Sequence, residues 1–411
     1  MNVPTETGTT VAAITKLSLD DLDITDRRVL VRVDFNVPLD GGCVADDTRI
    51  RASLPTIRRI LDAGGSAVLM SHLGRPKGQV SPGLSLAPVA ECLGKHLDLD
   101  VQFAPDCVGD EALAMSAALK PGGVLLLENL RFHPEETAND EAFAAELARH
   151  GDGYVNDAFG SAHRAHASTT AIAALFDEPA AGYLMQRELQ YLGAALAEPK
   201  RPFVAIIGGA KVSGKIDVIV KLLERVDRLL IGGGMAFTFL KAQGLEVGTS
   251  LVEEERLQLA DDILNRAGAD RLILPVDCVV ARDIESAANR EVVTVDAIPE
   301  HKMGLDIGPA TTDRFVAALE GAGTIVWNGP MGVFEKDEFA SGTLAVAQAV
   351  ARATDEGATS IIGGGDSAAA VARTGTADRM SHISTGGGAS LEFLEGKVLP
   401  GVAALADRKE A

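Results

Sequence analysis

The chain has 411 residues, 46% of them hydrophobic and 23% charged, which is enough for two domains with separate cores and too apolar for a disordered chain. A formal net charge of −20 excludes a general nucleic-acid or anionic-membrane surface, so any anion site has to be locally basic. Four scattered cysteines (Cys43, Cys92, Cys107 and Cys278) without a Cys-x-x-Cys pair read as free thiols, Met1 to Ala13 lacks a signal peptide's basic start and apolar run, and no stretch of about 18 apolar residues occurs, so a cytoplasmic protein is expected.

In chain order, four stretches of the first half read as buried strands that deliver polar residues at their carboxyl ends. Arg28-Val-Leu-Val-Arg-Val-Asp-Phe-Asn-Val-Pro38 leads to Asp34 and Asn36, with Arg49 next, ahead of an amphipathic run. Ala67-Val-Leu-Met70 leads to His72 and Arg75, Val124-Leu-Leu-Leu127 to Arg131 and His133, and Gly153-Tyr-Val155 to His163, Arg164 and His166. Strands alternating with helices imply a parallel sheet, whose ligands bind beyond the carboxyl ends of the strands. Each basic residue alone fits a solvated charge or a satisfied loop histidine. Their shared position gathers them at one rim, where arginine's planar fork suits a small, doubly charged anion.

From Tyr183 to Glu198, apolar residues at Leu184, Leu189, Leu192 and Leu196 follow a helical spacing that Pro199 ends, and this helix reads as the link between domains. The alternation resumes with Phe203-Val-Ala-Ile-Ile207 and Gly208-Gly-Ala-Lys-Val-Ser-Gly-Lys215. Here glycines admit close backbone N–H groups, a helix N-terminus follows, and Lys211 and Lys215 add charge, as a phosphate site requires. Gly209-x4-Gly214-Lys215 meets most of the P-loop pattern, but Ile216 stands where a Ser or Thr would hold Mg²⁺. Later strands lead into Gly232-Gly-Gly234, Asn328-Gly-Pro330 and Gly363-Gly-Gly-Asp-Ser367. In the last of these Asp366 either caps the helix or meets phosphate through a cation, and both roles stay open; Glu335 alone reads as a surface carboxylate. The fold class is α/β: two Rossmann-like domains, each a parallel sheet flanked by helices, with residues 1–182 in the first, 183–199 as a hinge helix and 200–395 in the second.

Eight motifs in order then match one family: Val33-Asp-Phe-Asn-Val-Pro38, Ser71-His-Leu-Gly-Arg-Pro76, Glu128-Asn-Leu-Arg-Phe132, Asp157-Ala-Phe-Gly-Ser-Ala-His-Arg-Ala-His166, Gly208-Gly-Ala-Lys-Val212, Gly232-Gly-Gly-Met-Ala-Phe237, Trp327-Asn-Gly-Pro330 and Gly363-Gly-Gly-Asp366. Over nearly its whole length the chain resembles phosphoglycerate kinase. The resemblance implies reversible phosphoryl transfer from 1,3-bisphosphoglycerate to Mg-ADP, giving 3-phosphoglycerate and ATP, by a monomer whose domains close on its substrates, with no nucleic-acid or membrane partner. It assigns Asp34 and Asn36 to the hydroxyl and carboxyl end of the glycerate, Arg49 to the carboxyl or moving phosphoryl group, and His72, Leu73, Gly74, Arg75, Arg131 and Arg164 to the rest of the substrate site. It gives Gly209, Gly233 and Gly234 to the base side of the nucleotide, Glu335 to the ribose, Lys215, Asn328, Gly364, Gly365 and Ser367 to phosphates, and Asp366 to Mg²⁺, and it places Gly304 near the nucleotide. It also implies that the segment from about 396 to 411 returns to the first domain. The family often has Gly-Trp where this chain has His301-Lys302, a departure that bears on base-side contacts.

Transfer of this kind needs placement and charge neutralisation rather than covalent help, and an acceptor carboxylate is already ionised at pH 7. Arg49, Lys211 and Lys215 are the candidate catalytic residues. Two other readings remain: a P-loop NTPase, disfavoured by Ile216, and a non-enzymatic nucleotide or sugar-phosphate binding protein, which gives no reason to pair an arginine rim with a lysine and glycine rim.

Overall fold

The structure, a computed structural model, describes residues 15–268 and 270–408, so the expectation for Met1 to Ala13 lies outside the described residues. The chain divides into two compact units. One runs up to Gln190 and takes in the chain again from Val398, and the other is Tyr191–Lys397.

The N-terminal unit is built on a six-stranded, all-parallel sheet. Across it lie Val101–Phe103, Val124–Leu126, Ser66–Met70, Arg28–Arg32, Gly153–Asn156 and Ala180–Ala181. Its central strands are near-continuous apolar runs because helices cover both faces, the usual condition of a parallel sheet. The strand Arg28–Arg32 pairs with Ser66–Met70 on one side and Gly153–Asn156 on the other, so strand order reverses there. Arg32 is in register with both Met70 and Asn156, which brings the segments after the three strands out at one level. The C-terminal segment returns to this unit, where Asn156 Nδ2 donates to the Gly401 carbonyl at 3.2 Å.

The second unit carries a six-stranded parallel sheet ordered Leu272–Ile273, Arg228–Ile231, Phe203–Ile207, Thr324–Asn328, Thr359–Gly363 and His382–Ile383. Numbered along the sheet, this is the doubly wound order 3-2-1-4-5-6, whose crevice lies between the first and fourth strands. Asn328 pairs with Ile207 and with Gly363, so the three glycine-bearing turns begin level with one another. Between these strands sits a three-stranded antiparallel sheet, Glu291–Thr294, Asp277–Ala281 and Met303–Ile307, that the sequence reading does not anticipate. No helix among the described residues is long and apolar enough to cross a membrane.

Trp327, the only tryptophan of the chain, is wholly buried in the strand Thr324–Asn328. It packs in a core with Ile206, Phe315 and Met331, and its Nε1–H donates to the Gly329 carbonyl at 2.8 Å. It therefore supports both the core and the turn after the strand. Trp327→Ala is expected to destabilise the second unit by about 3–5 kcal/mol, read from urea unfolding followed by circular dichroism. A loss below about 1 kcal/mol would show that this packing does not hold the turn.

Candidate active site

Each unit places a chemically distinct cavity at its own point of strand reversal. In the N-terminal unit a cavity of about 200 Å³ is lined by Asp34, Asn36, Arg49, His72, Gly74, Arg75, Arg131 and Arg164, together with Gly160, Ser161 and His163. All the substrate-site residues expected from sequence come together here except Leu73. That side chain is 2% exposed and lies in the core, while its N–H is held by Asn129 Oδ1 at 3.1 Å. His133, grouped with the rim in the sequence, instead pairs with Asp106 at 2.7 Å.

The loops are fixed by side chains whose roles depend on tertiary contact. Asn129 is fully buried and holds the loop after Met70 through Leu73, then accepts from the Arg131 N–H at 3.0 Å. Arg131 in turn donates to the Gly74 carbonyl at 2.8 Å. Asn36 Oδ1 accepts from the Gly74 N–H at 2.8 Å, which leaves the amide NH₂ as the part of Asn36 able to donate to a ligand. Arg49 reaches across to Asp34 Oδ1 at 3.3 Å and the Asn36 carbonyl at 3.0 Å, so one acid and one carbonyl aim its guanidinium.

The electrostatics favour an anion. Burial pushes the Arg131 guanidinium down to about 10, with repulsion from Arg32 and Arg164 adding to it. Burial, with the same arginines, takes His166 down to about 4, and it drives His72 well below the usual range. A bound dianion relieves the mutual repulsion of these groups. Arg32 is the residue that sequence reasoning passes over. It is fully buried, and it donates to Ser168 Oγ at 2.8 Å and to the Val33 carbonyl. Its third contact is with His72 Nδ1 at 3.1 Å. Because arginine only donates, Nδ1 must accept, and His72 is then the neutral Nε2–H tautomer. The counter-charge is Glu136, fully buried behind the rim, which accepts from Ser168 N at 3.0 Å and Ser168 Oγ at 2.7 Å.

In the second unit a cavity of about 370 Å³ is lined by Gly209, Gly233, Gly234, Gly304, Glu335 and Asp366 among the expected residues. Its other walls are mostly apolar, including Phe237, Leu251 and Met331, as the face of a planar base requires, with the buried Asp306 as a polar exception. A Cβ on Gly304 would fall within the ring of Phe237, and one on Gly208 would strike the Pro330 carbonyl oxygen. Both positions therefore need glycine for close approach. The departure from the family pattern at His301-Lys302 lies outside this lining, and Lys302 pairs with Glu291 at 2.8 Å.

The remaining expected residues meet at the crevice between the first and fourth strands. Lys215 Nζ donates to the Gly208 carbonyl at 2.7 Å and the Asn328 carbonyl at 3.2 Å, the last carbonyls of two neighbouring strands or their turns. The turn around Gly364 lies against the Asn328 amide, and Ser367 Oγ, fully buried, accepts from the Gly329 N–H at 2.6 Å. Gly365 opens the helix Gly365–Arg373. The N-cap of that helix is Gly364, and Asp366 lies in its first turn, exposed and making no cap hydrogen bond, so capping is not its role. The helix expected after the lysines begins at Ile216, with Lys215 at its N-cap and Lys211 exposed in the preceding turn.

The family profile described as "Phosphoglycerate kinase" matches residues 19–397. The chain is 59% identical over 393 residues to a phosphoglycerate kinase of Chlorobium luteolum, covering 95% of this chain and 99% of that protein. It is 60% identical over 395 residues to one of Moorella thermoacetica, covering 96% and 100%. Among solved structures, phosphoglycerate kinase from Coxiella burnetii superposes with a TM-score of 0.85 at 43% identity, covering 95% of this chain and 98% of that one. The enzyme from Pyrococcus horikoshii gives 0.84 at 33%, with the same coverage.

Burial pushes the Lys215 ammonium down to about 8, while Asp366 pulls the other way. Above that pH the group loses its proton and its attraction for phosphate oxygens. Affinity for ADP, measured by calorimetry, is expected to fall about tenfold between pH 7 and pH 9 as this one charge is lost. Lys215→Arg, which stays charged, should flatten the profile. Equal slopes in the two proteins would mean that Lys215 does not meet the phosphates.

Proposed function

The chain belongs to the phosphoglycerate kinase family, and from that membership we infer its reaction, reversible phosphoryl transfer from 1,3-bisphosphoglycerate to ADP, giving 3-phosphoglycerate and ATP. The observation that carries the reading is that each unit sets an anion site of its own kind at its strand reversal, one of arginine forks and one of glycine turns with a lysine.

On this reading the phosphate of the glycerate that is not transferred sits among His72, Arg75, Arg131 and Arg164, with the neutral imidazole donating from Nε2. Asp34 and Asn36 hold the hydroxyl and carboxyl end. The nucleotide base lies against Gly209, Gly233, Gly234 and Gly304, the ribose meets Glu335, and the phosphates meet Lys215, Asn328, Gly364, Gly365 and Ser367. The Ser367 hydroxyl accepts from the Gly329 N–H through a lone pair, which fixes the oxygen and leaves its O–H, with the backbone N–H, to donate. Arg49, Lys211 and Lys215 neutralise the charge that spreads over the moving group, and no general base is required because the acceptor is a carboxylate.

An exposed carboxylate beside a phosphate turn, not used as a cap, fits Mg²⁺, which is commonly held by one or two carboxylates plus substrate phosphates. Asp366 would hold the ion, and the ion would supply neutralisation of the nucleotide phosphates.

Transfer between molecules held on different units requires those units to close on their ligands and shed water. We assign the hinge to the helix Tyr183–Ala197 and to the segment 384–388, and we take residues 1–182 with 396–411 as the glycerate domain and 200–395 as the nucleotide domain. X-ray scattering checks the hinge: the protein with 3-phosphoglycerate and a non-hydrolysable ATP analogue is expected to have a smaller radius of gyration than with either ligand alone. An unchanged radius would remove closure from the mechanism.

A coupled assay of ATP-dependent phosphorylation of 3-phosphoglycerate tests the whole reading. ATP hydrolysis independent of 3-phosphoglycerate would contradict it. In that assay Lys211→Ala is expected to lower kcat by on the order of 10² to 10³, the cost of one preorganised donor to developing charge. Retention of kcat in a folded variant would exclude Lys211 from the chemistry.

A further inference from the structure

Outside both cavities, the N-terminal unit carries a side-chain cluster that phosphoryl transfer does not use. Cys92 and His96 are four residues apart on the helix Ala87–Leu97, so their side chains share one face. Opposite them stands Asp47, at the start of the helix Thr48–Asp62. One ligand atom from each of the three residues, a thiol sulphur, an imidazole nitrogen and a carboxylate oxygen, lies within 4.8 Å of the other two. All three side chains are half-buried. We propose that Asp47, Cys92 and His96 form a binding site for Zn²⁺ or a similar borderline-soft divalent ion, with a fourth coordination position open to water.

The donor set is the first argument. Thiolate, imidazole and carboxylate are the three ligand types that zinc takes, and a tetrahedral ion with bonds of about 2.0–2.3 Å needs its donors within about 4 Å of one another. Modest rotation of side chains on two fixed helices achieves this. The second argument is the orientation of Asp47. A carboxylate at an N-cap ordinarily accepts from the N–H groups of its own helix, yet Asp47 makes no such bond. Its Oδ2 instead meets His96 Nε2 at 2.8 Å, while Oδ1 is held by Arg51 Nε at 2.8 Å. Arg51 thus fixes the carboxylate from behind, the outer contact that metal-ligating carboxylates usually have.

The cluster Asp106, Cys107 and His133 offers the same residue types but is a poorer site. Cys107 is fully buried, and one oxygen of Asp106 already accepts from both His133 and the Cys107 N–H. It serves as the competing location in the test.

The test is a Co²⁺ titration of the metal-free full-length protein, followed by back-titration with Zn²⁺. One equivalent is expected to produce the visible bands of four-coordinate cobalt and a near-ultraviolet thiolate charge-transfer band, and Zn²⁺ should bleach both. Cys92→Ser is expected to abolish the charge-transfer band while leaving transferase activity unchanged. Asp47→Asn should weaken binding by about tenfold or more. Zn²⁺ should also raise the melting temperature of the unmodified protein but not of Cys92→Ser. The absence of a thiolate band in the unmodified protein, or its survival in Cys92→Ser, overturns the proposal, and survival would move the metal to another cysteine such as Cys107 or Cys278.

Discussion

What the rest of the structure depends on is the register of a few parallel strands where strand order reverses. Arg32 level with Met70 and Asn156 in one sheet, and Asn328 level with Ile207 and Gly363 in the other, decide which loops emerge side by side. Side chains from loops far apart in sequence meet only because the strands beneath them end together. A slip of one residue would turn each strand's side chains to the opposite face and scatter those loops. Strands buried along their whole length resist such a slip because close-packed neighbours on both faces would have to move.

On that platform the two units solve the anion problem in different ways. The N-terminal cavity uses side-chain charge, and it tolerates the charge by keeping one acid close to each part: Asp34 against Arg49, and buried Glu136 behind Ser168, which itself accepts from Arg32. The second unit uses backbone. Glycines let turns approach closely enough that a Cβ would collide, and a single ammonium sits on two carbonyls that are otherwise ends of the sheet. The contrast fits the ligands of the proposed reaction. A small compact phosphate is best gripped by planar forks, and a long polyphosphate is best followed by a run of N–H groups at helix starts.

This division also explains what was legible in the sequence. Arg75, Arg131 and Arg164 could be found because each follows a plainly apolar strand, and Gly209, Gly233 and Gly364 because glycine clusters after strands have few other uses. The family motifs added Leu73, which looks like a site residue by its position in Ser71-His-Leu-Gly-Arg-Pro76, while its side chain is core. Asn129 and Glu136 were not legible, since their work lies in contacts to Leu73 and to Ser168 that no local pattern encodes. The antiparallel sheet at 277–307 is hard to read from sequence because its edge strand Glu291–Thr294 is largely exposed and carries no apolar alternation. Cys92 and His96 form no recognisable metal motif in the sequence, because their spacing makes sense only on a helix with Asp47 opposite.

Arg32 shows most clearly how a residue can shape a site without being visible in sequence or facing the cavity. It closes the strand Arg28–Arg32 after an apolar run, and it is wholly buried. Burying a guanidinium without a directly paired carboxylate is costly, and an arginine buried at the end of a strand is an expensive choice if packing were its only task. Its three partners, Ser168 Oγ, the Val33 carbonyl and His72 Nδ1, all accept, and the last of these settles the histidine. Protonation of His72 at Nδ1 would set two donors against each other in a desolvated place, so the imidazole stays neutral with its remaining N–H on the far nitrogen. The rim therefore gains a directional neutral donor where another full charge would add to the repulsion already felt by Arg131. A cluster of arginines can hold a dianion without flying apart when some of its donors carry no charge, and in this protein a buried arginine one layer below the rim enforces that condition.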